Sequence, residues 1–408
     1  MGSRIEWVID SCRLLAEIGE EFDSTQPFAG KRIGTGIHLE PKTVALMLTL
    51  RRGGAEVLST GNLGSTQIEA VEYLRAHGVE VVGGPTVDAD EHDVHLREVL
   101  AAKPDLLLDN GGDLFIRYVE APYEHLLGGT EETTSGRMRL APLREQIKRP
   151  VLVINDSPIK QFGENYHAVG QSVLESFLRI TNRITNGRRV VVFGYGACGK
   201  GVAVNFQNAF ANVCVLEVDP VKRLEASLDG FPVPERTEAL AEADIVITVT
   251  GARDVVTAAD FHYLRDGVIL ANAGHFPTEI AVGGMREHAS VKEVRNSGEG
   301  IDTIILGDGR RVHILAGGHM VNLNGPRPLG NSIESMDLGF ALQARCLEAV
   351  ALGQVGSEDV VVPVPRWIDE SVANAYLTAS SASTLSRDEP VSPSGAMGAL
   401  DVLVHKGG

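Results

Sequence analysis

Residues 188–201 read RRVVVFGYGACGKG, and this stretch decides the fold of the chain. An apolar strand runs into three glycines, Gly194, Gly196 and Gly199, in the spacing GxGxxG, and a helix-forming segment follows them. The first glycine permits a tight turn, the second lets the backbone approach a pyrophosphate, and the third lets the helix pack closely on the strand. The spacing of a mononucleotide-binding P-loop is absent around Lys200. The segment therefore predicts a site for a dinucleotide pyrophosphate at the helix N-terminus.

An acidic residue stands where such a dinucleotide site needs one. The next strand-like segment, VCVLEVDP, ends in Glu217. A carboxylate at this position accepts hydrogen bonds from the ribose hydroxyls of NAD and repels the 2′-phosphate of NADP. The alternative is a glycine-rich turn in another kind of α/β sheet, but strand, glycines, helix and acid occur here in the required order. The sequence therefore predicts an NAD-binding Rossmann domain.

Strand-like and helix-like segments alternate on both sides of this motif. Before residue 150, short apolar runs such as KRIGTGIHL and DLLLDNGG alternate with amphipathic helices, and further strand–helix pairs are expected to about residue 320. Such alternation is typical of parallel βαβ units. Long helical segments at residues 166–186 and 335–350 indicate that the chain crosses twice between two halves of the molecule.

The predicted fold class is α/β, with two Rossmann-like domains built on parallel sheets. The last residues are rich in Ser, Pro and Gly, which is typical of a tail or arm. We therefore expect a discontinuous substrate-binding domain, an inserted NAD-binding domain and a C-terminal tail, at residues 1–170 with 325–370, 171–324 and 371–408 respectively.

The chain of 408 residues is acidic, with 54 acidic against 37 basic residues and a net charge of −17. A field of that sign repels phosphates, so neither nucleic acid nor an anionic membrane is expected as a partner. No apolar run reaches the ~18 residues of a membrane span, and the N-terminus shows no signal-peptide pattern. The 4 cysteines are far apart and lack metal-ligand spacing, so we expect reduced thiols, no metal site and a cytoplasmic location.

Polar side chains follow several of the predicted strands. Because the carboxyl ends of parallel strands share one edge of a sheet, such groups converge on a ligand site. Each group also has an ordinary alternative: the acidic and threonine-rich turns could be helix caps, Lys160 a solvated surface lysine, and His275 a structural histidine. From composition alone, the surface interpretation of Lys160 is favoured over a catalytic base. The joint placement nevertheless favours a ligand site formed by His38, Glu40, Asp109, Asn110, Asp113, Glu131, Glu132, Thr133, Thr134 and Ser135.

From about residue 30 to residue 350, a series of motifs follows the order of one known family. The motifs are HLEPKT, NLGSTQ, LLDNGGDL, GGTEETTSGRMRL, INDSPIKQFGEN, VVVFGYGACGKG, LEVDP, NAGHFPTEI and HMVNL. In these motifs the chain resembles the adenosylhomocysteinase family, the NAD-containing hydrolases of S-adenosylhomocysteine. One such match is weak evidence. The full series in order is specific for membership of the superfamily and less specific for the substrate.

The resemblance implies a hydrolysis assisted by a transient oxidation. Tightly held NAD⁺ oxidises the ribose 3′-hydroxyl, the ketone acidifies the 4′-proton, a base removes that proton, and the 5′-substituent is eliminated. Water then adds and the ketone is reduced back, so that the cofactor is regenerated. A small-molecule nucleoside substrate and a homo-oligomer, either a dimer or a tetramer, are implied as well.

The site residues carry over from the resemblance by motif position. Lys160 matches the lysine that assists hydride transfer, Glu132 the sugar-binding acid and His38 the histidine near the leaving sulfur. Catalytic roles are implied for Lys160, Glu132, His275, His38, Glu164 and Asn155. Cofactor contacts are implied for Gly194, Gly196, Gly199, Glu217, Thr133, Thr134, Asn165 and Asn322. A substrate pocket is implied for Glu40, Lys42, Asn110, Thr66 and Gln67.

The chain departs from the family's pattern in the pocket for the base. Asn110 stands in place of an acid that helps to handle the 4′-proton or the water, and Glu40 stands in place of a threonine. Lys42 occupies the position of a group that contacts the adenine amino group, and a lysine ammonium only donates hydrogen bonds. Glu164 keeps the family's acid one methylene longer. These changes predict a divergent member that prefers a base with an acceptor, such as a 6-oxo group.

Two other functions stay open at this point. The same 3′-oxidation could serve an oxidoreductase, a lyase or an epimerase that acts on a different nucleoside. An NAD-binding regulatory protein without activity is disfavoured because Lys160, Glu132 and His275 are all present. The family's C-terminal lysine and tyrosine, which reach the NAD of a neighbouring subunit, are missing here, where the tail ends VLVHKGG.

Overall fold

The computed structural model describes residues 4–385 of the chain. This part contains fourteen strands, all of them short. They are β1 (Arg32–Gly36), β2 (Glu56–Thr60), β3 (Glu80–Val82), β4 (Leu106–Asp109), β5 (Gly128–Glu131), β6 (Val151–Val153), β7 (Arg189–Phe193), β8 (Asn212–Leu216), β9 (Ile245–Thr248), β10 (Val268–Asn272), β11 (Val291–Gly298), β12 (Ile301–Leu306), β13 (Arg311–Leu315) and β14 (Val360–Pro363).

Between residues 4 and 385, sixteen α-helices and a π-helix, Lys160–Ala168, accompany the strands. The α-helices are α1 (Arg4–Ser11), α2 (Arg13–Thr25), α3 (Pro41–Arg52), α4 (Ile68–Ala76), α5 (Ala89–Ala101), α6 (Asp113–Glu120), α7 (Thr134–Leu140), α8 (Arg144–Ile147), α9 (Val169–Thr181), α10 (Ala197–Asn208), α11 (Pro220–Leu228), α12 (Arg236–Glu242), α13 (Val282–Glu287), α14 (Val321–Asn324), α15 (Ile333–Ala351) and α16 (Arg366–Leu385).

The strands form two seven-stranded sheets, as the predicted fold class requires. The first has the order β14-β6-β5-β4-β1-β2-β3 and is parallel throughout. The second has the order β11-β12-β13-β10-β9-β7-β8. The strand order reverses between β1 and β4 in the first sheet and between β7 and β9 in the second. In open α/β sheets, ligands bind outside the carboxyl ends of the strands at such switch points.

Strands β4, β9 and β10 are apolar over most of their length because helices cover both faces of each sheet. Strand β4, with the sequence LLLD, is buried at every position, and so are β9 and β10. Strands buried on both faces lose the alternating pattern of a half-exposed strand and become continuous apolar runs. In these three strands the polar side chain is the last one, Asp109, Thr248 or Asn272, which places it at the sheet edge.

The second sheet differs in part from the prediction. Strand–helix pairs were expected to about residue 320, but β11, β12 and β13 form an antiparallel meander at one side of the sheet. The turn between β12 and β13 contains Asp308 and Gly309, and Gly309 has a φ of +91°. An Asp-Gly dipeptide between apolar runs is a strong hairpin signal, and it explains the local change from crossover helices to hairpins.

A close contact between helices joins the two halves of the chain. The predicted helix 166–186 is observed as the π-helix Lys160–Ala168 running into α9, which ends at Thr181. A Cβ added to Gly170 of α9 would lie 2.3 Å from the carbonyl oxygen of Gly201 in α10. A Cβ added to Gly201 would lie 1.9 Å from the carbonyl oxygen of Tyr166 in the π-helix. Only glycine permits this approach, which fixes the π-helix against the helix that follows the GxGxxG turn.

The C-terminal prediction needs a correction. A tail was expected from residue 371, but α16 spans Arg366–Leu385, so the chain is still helical there. The remaining predicted tail, residues 386–408, lies outside the described residues. The proposed division at residues 170/171 and 324/325 stays a prediction. Among residues 4–385, we find no helix whose length and hydropathy would let it cross a membrane.

We expect Gly201→Ala to destabilise the protein by about 1–3 kcal/mol, the usual effect of overpacking a tight contact. The added methyl group would collide with the Tyr166 carbonyl oxygen of the π-helix. Gly284→Ala is the matched control, because a Cβ at that position in α13 meets nothing within 4 Å. The midpoint of urea unfolding measures both variants. Equal midpoints for Gly201→Ala and wild type would contradict the packing argument.

Candidate active site

A cavity of ≈ 1310 Å³ lies at the carboxyl ends of both sheets, where the two switch points are. Residues that follow β1, β4 and β5 form one part of its wall, and residues that follow β7, β8 and β9 form another. The first group is represented by His38, Asn110 and Glu132, and the second by Gly194, Glu217 and Thr250. The two halves of the chain therefore share one ligand site.

A buried ion cluster lies in the wall of this cavity. The Nζ atom of Lys160 donates to Glu132 Oε1 at 3.0 Å and lies 2.5 Å from Glu164 Oε1. Glu132 directly follows β5, whereas Lys160 and Glu164 are four residues apart in the π-helix and so face the same side. All three side chains are buried, Lys160 being 4% exposed. The composition-based interpretation of Lys160 as a solvated surface residue was therefore wrong.

The cluster sets the protonation of its members. Burial alone would lower the pKa of Lys160, but the negative charges of Glu132 and Glu164 outweigh it and raise that pKa above its ordinary value. Burial raises the pKa of Glu164, and the nearby ammonium of Lys160 offsets this only in part. In the resting protein Lys160 is therefore an ammonium ion, and Glu164 is the carboxylate beside it with the raised pKa.

Two residues of the cavity wall, Glu164 and Asn322, each have a buried acceptor without a partner within the described residues. Glu164 Oε2 is buried and has no hydrogen-bond partner among residues 4–385. A Cβ on Gly339 would lie 2.6 Å from this oxygen, so the glycine in α15 leaves room for it. Asn322 Oδ1 is also buried without a partner in the described chain, while its Nδ2 donates to Ser172 Oγ at 3.0 Å. Buried acceptors without partners are costly, so each is a place where a ligand donor fits.

Asn110 holds Glu132 in position. Its Nδ2 donates to Glu132 Oε2 at 2.7 Å, and its Oδ1 accepts from Asn62 Nδ2 at 3.0 Å. Both carboxylate oxygens of Glu132 therefore have donors, one from Lys160 and one from Asn110. A carboxylate at position 110 would instead face Glu132 with like charge. The amide at this position is thus a neutral donor that orients the acid, and it has no proton to give or take.

Two further carboxylates, Asp109 and Glu131, hold the loops in place instead of facing the cavity. Glu131 accepts from the backbone nitrogens of Gly111 and Gly112 at 3.0 and 2.9 Å, and from Thr133 N at 2.7 Å. Asp109 accepts from the backbone nitrogens that follow it, and burial with the nearby charge of Asp113 raises its pKa to about 7. These bonds connect the loop after β4 to the loop after β5, which carry Asn110 and Glu132.

Two histidines face each other across the cavity. The ring centroids of His38 and His275 are 6.2 Å apart, with the edge of one ring toward the other. His38 Nδ1 is hydrogen-bonded to Ser65 Oγ, which follows β2. Burial, together with the neighbouring His275, lowers the pKa of His38 to about 4, and burial lowers that of His275 as well. Both rings are therefore neutral near pH 7, and each carries one N–H donor and one acceptor nitrogen.

The loop that carries His275 is fixed by two buried side chains. Asn272 Nδ2 donates to the carbonyl oxygens of Gly274, Phe276 and Gly318. Glu279 accepts from the backbone nitrogens of Thr250 and Gly251, so the loop after β10 is joined to the loop after β9. The histidine is thereby held above the second switch point.

The glycine-rich turn has the shape that a dinucleotide needs. Gly194 has a φ of +99°, and a Cβ there would lie 2.7 Å from the carbonyl oxygen of Val249. A Cβ on Gly199 would lie 2.1 Å from the carbonyl oxygen of Gly194, so the helix packs directly on the turn. Glu217 accepts from Tyr195 N at 2.8 Å and Val218 N at 2.7 Å, which fixes its carboxylate in the cavity wall. With the free acceptor of Asn322, these residues fit NAD.

Most of the predicted site residues line the cavity, although their roles stay predictions. Thr66 and Gln67 do not line it, and we correct their placement: Thr66 Oγ1 donates to Asn62 O, and Gln67 is the residue before α4. Asn165 Nδ2 donates to Asn155 Oδ1 at 3.0 Å. The residues in the wall are His38, Glu40, Lys42, Asn110, Glu132, Thr133, Thr134, Asn155, Lys160, Glu164, Asn165, Gly194, Gly196, Gly199, Glu217, His275 and Asn322.

The sequence analysis missed several residues that shape the site. Asn62 and Ser65 belong to the same NLGSTQ motif as Thr66, but the turn after β2 directs these two, and not Thr66, toward Asn110 and His38. Their position at the end of a predicted strand was the available signal. Arg139, Lys222 and Arg223 also line the cavity, and no spacing rule distinguishes them from surface residues.

Comparison with known proteins gives matches over most of the chain. The sequence pattern of S-adenosyl-L-homocysteine hydrolase matches residues 5–125, and that of the NAD binding domain of S-adenosyl-L-homocysteine hydrolase matches residues 165–327. The S-inosyl-L-homocysteine hydrolase of Methanopyrus kandleri is 40% identical over 379 residues, which is 91% of this chain and 89% of that protein.

Two further relatives match at similar levels. The S-inosyl-L-homocysteine hydrolase of Methanothermobacter thermautotrophicus is 39% identical over 382 residues, covering 92% of this chain and 91% of that protein. The adenosylhomocysteinase of Thermotoga maritima is 40% identical over 381 residues, covering 92% of this chain and 93% of that protein. The predicted family, the Rossmann-type fold and the NAD cofactor are thereby confirmed.

We expect His38→Gln to change how stability depends on pH. The pKa of His38 is about 4 in the folded chain against 6.5 for the free group, so the unfolded state binds the extra proton between these values. The folding stability that the neutral ring provides is then fully present above pH 6.5 and is lost as the pH falls toward 4. The free energy of unfolding, measured for both proteins at about pH 7 and about pH 5, should fall more in wild type than in the variant. Parallel pH dependences would show that His38 titrates normally.

Proposed function

This chain belongs to the S-adenosyl-L-homocysteine hydrolase family, and we propose that it cleaves the 5′-thioether of an S-nucleosyl-homocysteine whose base carries a 6-oxo group. The hydrolase class and the NAD cofactor follow from the family. The observation that carries the proposed chemistry is the buried Lys160 between Glu132 and Glu164, next to the buried free acceptor of Asn322 in the same cavity.

The ion cluster is suited to a ribose hydroxyl. Bound NAD supplies a reversible hydride acceptor beside the ribose. Lys160 is an ammonium and orients the 3′-oxygen by donating to it, while the unpartnered Glu164 Oε2 accepts from a neighbouring hydroxyl. For oxidation of the 3′-carbon, the ammonium of Lys160 first passes one proton to Glu164, whose pKa is raised, and the neutral amine then takes the proton of the 3′-hydroxyl. The ammonium is thus regenerated and the carboxylate holds the proton until the ketone is reduced.

The histidine pair is suited to proton transfer at the 5′-carbon–sulfur bond that breaks. His38 and His275 are neutral near pH 7, so one ring can first take a proton as a base, and the imidazolium so formed can donate that proton to the departing thiolate and take it back when the reaction runs in reverse. Asn110 leaves no carboxylate at the position where the family has an acid. The base that removes the 4′-proton is then one of the neutral histidine nitrogens or Glu132, since these groups line this part of the cavity.

A second ion pair lies where the base is expected. Lys42 Nζ donates to the carbonyl oxygen of Leu329 at 2.8 Å and lies 2.8 Å from Glu40 Oε2, and both side chains are buried in the cavity wall. The pair presents a donor and an acceptor side by side. A hypoxanthine edge carries an acceptor at O6 and a donor at N1, so Lys42 on O6 and Glu40 on N1–H would satisfy both.

The same pair shows why adenine is the second candidate. An adenine edge carries its donor at N6 and its acceptor at N1, so it would need Glu40 and Lys42 in the reverse order. Lys42 is aligned by motif with the group that contacts the exocyclic substituent, and this order favours the 6-oxo base. The relatives include proteins named for inosyl and for adenosyl substrates, so their names alone do not choose the base.

Three finer points are part of the proposal. A small-molecule nucleoside substrate is supported by the relatives, and we propose that the protein is a cytoplasmic dimer or tetramer, which sedimentation and cell fractionation would test.

An oxidoreductase, lyase or epimerase would need a different fate for the 5′-substituent, and the relatives named here are hydrolases. A regulatory protein without activity would not need to keep three charged groups buried around one cavity.

We expect Lys160→Ala to lower the rate at which substrate reduces bound NAD by on the order of 10²–10⁴, the usual loss when acid–base help is removed. Binding of NAD⁺ should change little, because the Nζ atom of Lys160 pairs with Glu132 and Glu164 and not with the glycine-rich turn. Stopped-flow absorbance measures the reduction and calorimetry the binding. Lys292→Ala, at an exposed position in β11, is the control. A variant that reduces NAD at the wild-type rate would remove Lys160 from the mechanism.

We expect wild type to cleave S-inosyl-L-homocysteine with a higher kcat/KM than S-adenosyl-L-homocysteine. Lys42→Gln should lower that preference by on the order of 10-fold or more, because an amide can accept from the adenine amino group as well as donate to an oxo group. Lys292→Gln should leave the ratio unchanged. If wild type favours the adenosyl substrate, or if Lys42→Gln leaves the ratio unmoved, the assignment of the base fails and plain adenosylhomocysteine hydrolysis stands.

A further inference from the structure

Arg139 is a cation with free donors in the wall of the cavity. It lies near the end of α7, and its side chain is 38% exposed. Nη1 donates to the carbonyl oxygen of Gly111 at 2.5 Å and to Asp113 Oδ1 at 2.9 Å. Nε and Nη2 have no hydrogen-bond partner among the residues that the structure describes. One edge of the guanidinium is therefore anchored, and its remaining donors are available to a ligand.

The position of Arg139 places it beside the histidine pair. A Cβ on Gly111, whose carbonyl oxygen Arg139 contacts, would lie 3.4 Å from Nε2 of His275. The charges of Asp113 and Arg139 both act on His275 and shift its pKa in opposite directions, which agrees with their proximity. Arg139 thus lies close to the place where the proposed function puts the thioether sulfur.

The other cations in this part of the wall are neutralised by carboxylates of the cavity wall, whereas Arg139 pairs with Asp113, which it shares with Arg117. Lys160 is held by Glu132 and Glu164, and Lys42 is held by Glu40. Apart from Arg139, this part of the wall has three carboxylates, Glu40, Glu132 and Glu164, against two cations, in a chain with a net charge of −17. A substrate that carries its own carboxylate would be repelled from such a site unless a cation received it.

We propose that Arg139 binds the α-carboxylate of the amino-acid half of the thioether substrate, with Asp113 as the residue that positions the guanidinium. The inference rests on the proposed function and extends it to the leaving group. The base lies at Glu40 and Lys42 and the ribose at the ion cluster, so the chain beyond the sulfur extends past the histidines to Arg139. The planar fork of an arginine matches a carboxylate in two hydrogen bonds.

The test compares two substrates and two variants. The substrates are the S-nucleosyl-homocysteine that wild type cleaves and its decarboxylated analogue, which ends in an aminopropyl group. We expect Arg139→Ala to raise KM for the complete substrate by on the order of 10- to 100-fold, the effect of losing hydrogen bonds to a charged group. The KM of the analogue should not rise. Arg139→Lys should recover part of the loss, because it keeps the charge without the fork.

Arg137→Ala is the matched control, since Arg137 is in the same helix, pairs with Asp156 at 3.5 Å and does not line the cavity. It should behave as wild type with both substrates. A merely structural role of Arg139, acting through His275, would lower turnover of both substrates equally, and that result would overturn the proposal. An unchanged KM for the complete substrate in Arg139→Ala would overturn it as well.

Failure of the proposed function is recognisable separately. If wild type cleaves no S-nucleosyl-homocysteine, the hydrolase assignment fails, and binding replaces turnover as the measurement. Calorimetry with the NAD-loaded protein then compares homocysteine with 3-aminopropanethiol. Weaker binding of homocysteine to Arg139→Ala than to wild type, with equal binding of the aminothiol, supports the carboxylate site. Equal binding of homocysteine to both proteins would overturn it.

Discussion

A buried ammonium is stable only among counter-charges, and the rest of this site depends on how Lys160 obtains them. Glu132 approaches from the end of β5 and Glu164 from the next turn of the π-helix, so the cluster exists only when helix and sheet are docked. The contact of Gly201 with Tyr166 fixes the same π-helix against α10. One short segment therefore joins the substrate chemistry to the dinucleotide turn. Removing Lys160 would leave two buried carboxylates without a counter-charge in the wall of the cavity.

Neighbouring acidic residues have different roles because their side chains point to different parts of the structure. Glu131 and Glu132 are neighbours in the chain, yet Glu131 holds backbone nitrogens beneath the loops and Glu132 faces the cavity. Asp109 and Asn110 repeat this arrangement at the end of β4. Successive side chains at a strand end point in opposite directions, so one residue of each pair can position the loop while the other meets the ligand. The hydrogen bonds of Glu131 and Asp109 keep the donors and acceptors of the site in a fixed geometry before any ligand binds.

The second ion pair, Glu40 with Lys42, changes the set of hydrogen bonds that the lysine position can offer to a base. A lysine alone offers only donors, which argues against an amino group on the base. Paired with Glu40 it becomes half of a donor–acceptor edge, and such an edge can satisfy either purine in one of two orders. In the proposed function, the preference for one purine base then depends on the order of these two side chains along the base edge.

The sequence by itself determined the fold class, the dinucleotide turn and the family, because each depends on local spacing. GxGxxG after an apolar strand and Glu217 after the next strand are read directly from short segments. Only the tertiary structure decided which polar residues meet. It brought Asn62 and Ser65, and not Thr66 or Gln67, to the site residues, because a turn's geometry directs each side chain. It also showed that Lys160, which composition alone placed at the surface and the family resemblance placed in the site, is a buried ammonium. Its partner Glu132 is distant in sequence, and only packing of the π-helix on the sheet brings the two together.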